Sequence, residues 1–136
     1  AVDRACELLK AKGAKRAIKL NVSAPFHCAL MMPAQERLEQ DLNELIYSDL
    51  SFPIVHNVDA KANSSAGYLT EALTKQVSSP VRWLECAQEL KQSGVTTFIE
   101  VGAGKVLSGL ARQIDREIRT LNVEDSQSLR STLESL

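Results

Sequence analysis

Apolar and polar positions in the first half of the chain follow helical spacing, interrupted by one alternating stretch. Apolar residues that recur every three or four positions predict a helix over residues 2–12, and Gly13 ends it. Residues 16–22 alternate between apolar and polar side chains, which is typical of a half-buried strand. An apolar stripe opposite an acidic face predicts a second helix over residues 33–46.

The second half of the chain alternates short β-branched runs with helical stretches. Such repeated alternation predicts an α/β fold in which helices cover a parallel sheet. Residues 95–101 end in apolar side chains on both faces, which favours a strand in the interior of that sheet. The predicted elements are a strand over 53–58, a polar loop over 63–67, helices over 69–77 and 81–92, a strand over 95–101, a helix over 106–114, a strand over 118–123, and a helix from Asp125 or Ser126 to Leu136.

Composition places the chain among ordinary globular proteins. It has 136 residues, 44% of them hydrophobic and 24% charged, and a net charge of -1. This balance gives no general signal for a nucleic-acid partner or an anionic membrane. No apolar run reaches the roughly 18 residues of a membrane span, and the first ten residues lack a signal-peptide pattern. We therefore expect a cytoplasmic protein that binds neither nucleic acid nor membrane.

The three cysteines carry no metal or disulfide signature. Cys6, Cys28 and Cys86 are scattered and have no CxxC spacing. No acidic cluster has the spacing of metal ligands either. We expect reduced thiols and no metal site.

His27 is the strongest candidate for chemistry. It lies between a predicted strand and a predicted helix, where loops of α/β folds present functional groups, and imidazole can act as a general base near neutral pH. A histidine satisfied by local hydrogen bonds remains an alternative for His27. For His56, in a predicted strand beside Asn57 and Asp59, a structural histidine is the favoured interpretation. Cys28 follows His27 directly, but successive side chains point apart, so a buried small residue is favoured over a nucleophile.

Two further features are weaker signals. Residues 102–105 (Gly-Ala-Gly-Lys) follow a strand and open a helix, where backbone N–H groups can bind phosphate. Because neither the P-loop spacing nor a full GxGxxG is present, tight strand-to-helix packing is favoured. Lys15 and Arg16 form an exposed basic pair, which is typical of solvated surface but also fits an acidic partner.

Four segments in order give the chain a family resemblance. SAPFHCALM (23–31), NVDA (57–60), KQVSSPVRW (75–83) and EVGAGKVLSGL (100–110) resemble the C-terminal part of malonyl-CoA:acyl-carrier-protein transacylases. The resemblance implies that residues 1–22 are the last helix and strand of a ferredoxin-like small subdomain. It implies that residues 23–136 are the C-terminal part of an α/β-hydrolase-like acyltransferase subdomain with a parallel sheet.

The resemblance also assigns roles to individual residues. In the family, a serine on a G-x-S-x-G elbow accepts the malonyl group from malonyl-CoA and passes it to the phosphopantetheine thiol of holo acyl carrier protein, without cofactor or metal. His27 matches the base, and Gln76 matches the residue whose backbone carbonyl orients it, so that the Gln76 side chain would matter little. Phe26 matches a position that favours malonyl over bulkier groups, and Lys15 and Arg16 match positions that dock the carrier protein.

The chain departs from the family pattern in what it lacks. It contains no G-x-S-x-G, since Ser108 has a glycine on one side only, and it has no counterpart of the arginine that holds the malonate carboxylate. Both lie upstream in the family, so we expect an N-terminally incomplete sequence that is inactive alone. Two alternatives remain: an acyltransferase domain of a polyketide synthase, and a non-catalytic module that binds the carrier protein.

Overall fold

The computed structural model describes residues 1–19 and 22–136, and it has an α/β fold. Most of its elements follow the predicted order. The helices are α1 (Val2–Ala11), α2 (Met32–Asn43), α3 (Ala66–Lys75), α4 (Trp83–Gln92), α5 (Val106–Ile114) and α6 (Ser126–Ser135), and the strands are β1 (Ile54–Val55), β2 (Ala62–Asn63), β3 (Thr97–Val101) and β4 (Arg119–Val123).

The C-terminal part forms a regular strand–helix–strand–helix unit. Strand β3 pairs with β4 in parallel, from Thr97 opposite Arg119 to Val101 opposite Val123. The predicted parallel pairing is therefore confirmed. The predicted start of the last helix is confirmed too, because the carboxylate of Asp125 accepts the backbone N–H of Ser128 in a capping box.

Strands β1 and β2 form a small antiparallel ladder that the sequence only partly predicted. The expected strand over 53–58 is limited to Ile54–Val55, since the carbonyl of His56 accepts the N–H of Ala60 at 2.9 Å and the chain turns there. The expected polar loop over 63–67 is wrong at both ends: Asn63 pairs with Ile54, and α3 begins at Ala66.

The strand predicted over residues 16–22 is wrong for residues 16–19 and Val22, which have no strand structure; Leu20 and Asn21 lie outside the described residues. Alternation alone does not make a strand, because a strand also needs a neighbour with which to form a ladder. The described segment instead contacts α1, where the Lys19 ammonium pairs with the Asp3 carboxylate at 3.0 Å. The helix end at Gly13 is confirmed, with φ +88°.

The core consists mainly of small side chains from α3, α4 and α5, such as Ala72, Ala87 and Ala111. Large apolar side chains remain exposed, and Val101 in β3 is 79% exposed. Within residues 1–19 and 22–136, β3 pairs with β4 alone. In this part of the chain β3 therefore lies at the edge of a two-stranded sheet, whereas the sequence predicts an interior strand for 95–101.

None of the helices in the described part of the chain has the length and apolar character that a bilayer span requires. Across the same residues, no group of three or more His, Cys, Asp or Glu side chains is arranged to hold a metal ion.

Candidate active site

His27 lies in an irregular loop just before the short 3₁₀ turn at Ala29–Met31 and helix α2. Its backbone has φ +58°, a left-handed conformation that is uncommon for a residue with a side chain. The loop is closed locally, since the Cys28 thiol donates to the carbonyl of Pro25 at 3.2 Å and Met31 N–H donates to the carbonyl of Cys28 at 2.9 Å. This conformation leaves the His27 side chain exposed to solvent.

The imidazole of His27 contacts a residue that is distant in sequence. Its Nδ1 lies 3.1 Å from the backbone carbonyl oxygen of Gln76, 49 positions along the chain. A carbonyl oxygen can only accept, so Nδ1 carries the hydrogen. The lone pair of a neutral ring is then on Nε2. The arrangement therefore leaves Nε2 able to take up a proton.

Helix α3 delivers this carbonyl. Gln76 immediately follows the last residue of α3, and its N–H closes the final turn onto the carbonyl of Ala72 at 3.2 Å. The last carbonyls of a helix have no partner inside the helix and carry partial negative charge, so they suit an imidazole N–H. The end of α3 thus faces the loop of His27 with an acceptor.

The side chain of Gln76 also forms a hydrogen bond, although the resemblance implied that this side chain would matter little. Its Oε1 accepts the backbone N–H of Asn57 at 3.0 Å. The carbonyl of Asn57 in turn accepts the backbone N–H of Arg82 at 3.1 Å. Asn57 belongs to NVDA, one of the four segments on which the resemblance depends. This membership is the feature of the sequence that could have indicated a role for Asn57.

The other predicted site residues do not join this cluster. Phe26 precedes His27 and is 55% exposed. Lys15 and Arg16 are exposed just beyond α1. Within the described ranges, no hydrogen bond or ion pair connects Lys15 or Arg16 to His27 or Gln76.

His56, the second histidine, is buried, with 4% of its surface exposed. Its ring meets that of Tyr68 edge-on, with the ring centroids 6.0 Å apart. The Tyr68 hydroxyl donates to the Asp59 carboxylate at 2.6 Å, and this hydrogen bond, together with desolvation, raises the pKa of Tyr68 to about 12. These contacts belong to packing around β1 and β2, as expected for a structural histidine.

Carboxylates of the protein itself accept hydrogen bonds from the turn at residues 102–105 and from the start of α5. The Glu100 carboxylate accepts the N–H groups of Leu107 and Ser108, at 3.0 and 2.8 Å, and the Ser108 hydroxyl at 2.6 Å. These bonds, above all that from the Ser108 hydroxyl, lower the pKa of Glu100. Glu124 accepts the N–H of Gly104 at 3.0 Å. Because carboxylates occupy these donors, they are not presented to a phosphate. The predicted tight packing is wrong at the two glycines, since a side chain at Gly102 or Gly104 would meet no atom within 4 Å; their φ values of +139° and +83° are what require glycine there.

Curated proteins named malonyl CoA-acyl carrier protein transacylase are similar to the chain. The protein from Bacillus subtilis is 43% identical over 135 residues, which cover 99% of this chain and 43% of the relative. MCAT from Streptococcus pneumoniae has a similar solved structure, with a TM-score of 0.88 and 43% identity over 99% of this chain and 44% of that one. No family model matches the chain.

A third comparison concerns a complex. The malonyl-transacylase that was solved with AntF, a type II polyketide-synthase acyl-carrier protein, is similar with a TM-score of 0.88 and 41% identity over 99% of this chain and 44% of that one. The chain thus spans less than half the length of the relatives that it matches. Since both sequence and fold agree over nearly all of its residues, the chain belongs to the malonyl CoA-acyl carrier protein transacylase family.

Proposed function

We propose that the protein transfers the malonyl group of malonyl-CoA to the phosphopantetheine thiol of acyl carrier protein, in fatty acid biosynthesis, with His27 as the general base. The observation that carries the proposal is the contact between His27 Nδ1 and the Gln76 carbonyl in a chain of this family. It frees Nε2 for proton transfer and fixes the ring through a neutral acceptor, in place of the carboxylate of a Ser-His-Asp triad.

Each half of the proposed reaction moves one proton through His27. In the first half, Nε2 takes the proton of a serine hydroxyl whose oxygen attacks the thioester carbonyl; the carbon–sulfur bond breaks, and Nε2 protonates the departing coenzyme A thiolate. In the second half, Nε2 takes the proton of the carrier thiol, which attacks the seryl ester, and returns it to the serine oxygen. The transfer is redox-neutral and uses no metal or cofactor.

The nucleophile is not among these 136 residues. They contain no G-x-S-x-G and no assigned carboxylate-binding arginine, and we propose that the parts of the family that this chain does not span supply both. Neither alternative nucleophile is well suited: Ser108 is 7% exposed and donates to Glu100, and the Cys28 thiol donates to Pro25. The chain alone is therefore expected to be inactive.

Selectivity and docking are assigned to exposed residues. Phe26 lies beside His27, where its ring would disfavour a substrate with an α-methyl group by roughly 1–3 kcal/mol. Lys15 and Arg16 offer exposed positive charge to an acidic carrier protein, which speeds encounter. The similarity to a transacylase that was solved with a carrier protein supports such a partner.

We assign residues 1–22 to the end of a ferredoxin-like subdomain and residues 23–136 to an α/β-hydrolase-like subdomain, in a cytoplasmic enzyme. Because the carrier in that complex belongs to a type II polyketide synthase, the second candidate is the same malonyl transfer within polyketide synthesis.

A chimera tests the proposal. Residues 1–136 replace the matching region of the Bacillus subtilis relative, and malonylation of holo acyl carrier protein is followed by mass spectrometry, with the 136-residue chain as control. We expect transfer by the chimera and none by the chain alone. A folded chimera that binds the carrier without malonylating it would favour the non-catalytic module, and transfer by the chain alone would require another nucleophile.

A further inference from the structure

We infer that the side chain of Gln76, held by the backbone of Asn57, is a positioning residue for His27: it fixes the carbonyl that decides which imidazole nitrogen is free. The inference rests on the proposed role of His27 as a base. It gives the amide of Gln76 a task separate from that of its backbone carbonyl.

Asn57 holds both ends of the connection between α3 and α4. Its N–H donates to Oε1 of Gln76, at the start of the connection, and its carbonyl accepts the N–H of Arg82, at the end. One residue of the β1–β2 turn therefore forms a hydrogen bond to each end of the connection. The carbonyl that faces His27 belongs to the first residue so held.

The β1–β2 turn is itself firmly anchored. The carbonyl of His56 accepts the N–H of Ala60 and the Cys86 thiol, at 2.9 and 3.5 Å. The Arg82 guanidinium donates to the carbonyl of Asp59 at 2.9 Å. Asn57 therefore forms part of a fixed support against which a helix end can be held.

Helix ends need such support because terminal turns fray. Three backbone hydrogen bonds close the end of α3: Gln76 N–H to Ala72 and Val77 N–H to Thr74, both 3.2 Å long, and Ser79 N–H to Lys75 at 3.1 Å. If the side-chain bond to Asn57 is lost, the Gln76 carbonyl gains freedom to rotate away from His27. The ring then loses the acceptor that holds its hydrogen on Nδ1.

Two substitutions separate the amide from the bulk of the side chain. Gln76→Met keeps the length of the side chain but removes the acceptor for Asn57 N–H. Gln76→Glu keeps an acceptor at the same distance along the side chain. Both retain the backbone carbonyl, so a difference between them reports on the bond to Asn57.

Nitrogen-15 NMR of the histidine rings at a pH where they are neutral measures the tautomer of each histidine in the 136-residue chain. The chain has two histidines, and His56, buried beside Tyr68, serves as the internal control. We expect His27 to carry its hydrogen on Nδ1 in the wild type and in Gln76→Glu. In Gln76→Met we expect a shift of His27 toward the Nε2–H form, with the tautomer of His56 unchanged.

The inference is overturned if Gln76→Met keeps the wild-type tautomer of His27, or if the tautomer of His56 changes along with that of His27, which would indicate general loosening. The readout does not depend on turnover. An inactive chimera in which His27 still responds to Gln76→Met would contradict the proposed function but leave the positioning role standing.

Discussion

Two regions of the molecule are built in different ways. The His27 platform, which comprises residues 23–31, 54–63 and 76–82, is joined by hydrogen bonds between side chains and backbone across long sequence separations, 49 positions for His27 to Gln76 and 19 for Asn57 to Gln76. The C-terminal unit, residues 97–135, is joined by a parallel ladder and by helices that follow their strands directly. A regular unit thus lies beside an irregular one that holds the candidate chemistry.

The difference shows what each kind of construction provides. The ladder joins the backbones of two strands through a repeated hydrogen-bond pattern. The platform instead places one imidazole and one backbone carbonyl 3.1 Å apart. Functional groups often lie on loops that a rigid scaffold holds in place. The platform adds its own scaffold in the form of the Asn57 bonds, so its geometry depends on single residues more than that of the C-terminal unit does.

The largest stability effect should come from the helix that supports the platform. Leu69 in α3 is 7% exposed, and Leu69→Ala should lower the free energy of unfolding by about 2–5 kcal/mol, because a cavity replaces buried surface. The matched change Leu133→Ala in α6, where the side chain is 62% exposed, should stay within about 0.5 kcal/mol. Urea denaturation measures both, and equal losses would contradict the burial of Leu69 as the cause of the larger effect.

Tyr68→Phe tests the hydrogen bond beneath the platform. It removes the 2.6 Å bond to Asp59 and should cost about 1 kcal/mol. The pKa of Tyr68 is raised from 10.0 to about 12, mainly by this bond, so the stabilising contribution is complete below pH 10.0 and is lost as the pH rises toward 12.

Ultraviolet absorbance titration checks this directly. The chain has two tyrosines, and the phenolate step near pH 12 should disappear in Tyr68→Phe and persist in Tyr47→Phe. A late step that survives Tyr68→Phe would show that the bond to Asp59 is not its source.

Glu100→Gln tests the C-terminal unit, because it replaces one of the two accepting carboxylate oxygens with an NH₂ group, which cannot accept a hydrogen bond. The carboxylate accepts two N–H groups at the start of α5 and the Ser108 hydroxyl, and these bonds lower its pKa below the usual 4.5. Its contribution is therefore complete above pH 4.5 and is lost as the pH falls through the lowered pKa.

We expect a small decrease in melting temperature at pH 7 and a weaker dependence of stability on pH below 4.5 in Glu100→Gln. Thermal melts across acidic pH test this, with Glu134→Gln, an exposed change in α6, as the control. Parallel acid limbs in wild type and Glu100→Gln would contradict it.

The same contrast explains which features the sequence could predict. Strand β4 and the capped helix α6 follow from local periodicity and from Asp125, since their determinants lie within a few residues. The strand predicted over 16–22 is wrong at residues 16–19 and Val22, because alternation does not supply a neighbouring strand. Similarly, the Asn57–Gln76 bond could not be predicted, because no local pattern records a hydrogen bond between residues that meet only after folding. His27 was identified by its loop and by the family motif, and its orientation required the fold.

The role of His27 is tested by comparing His27→Ala with Glu134→Ala, an exposed change in α6, in the chimera; malonyl transfer from malonyl-CoA to holo acyl carrier protein is measured per folded molecule. We predict that His27→Ala lowers the rate by roughly 10²–10⁴-fold, the usual cost of a lost general base, and that Glu134→Ala keeps a near-normal rate. Near-normal transfer by His27→Ala would contradict the account.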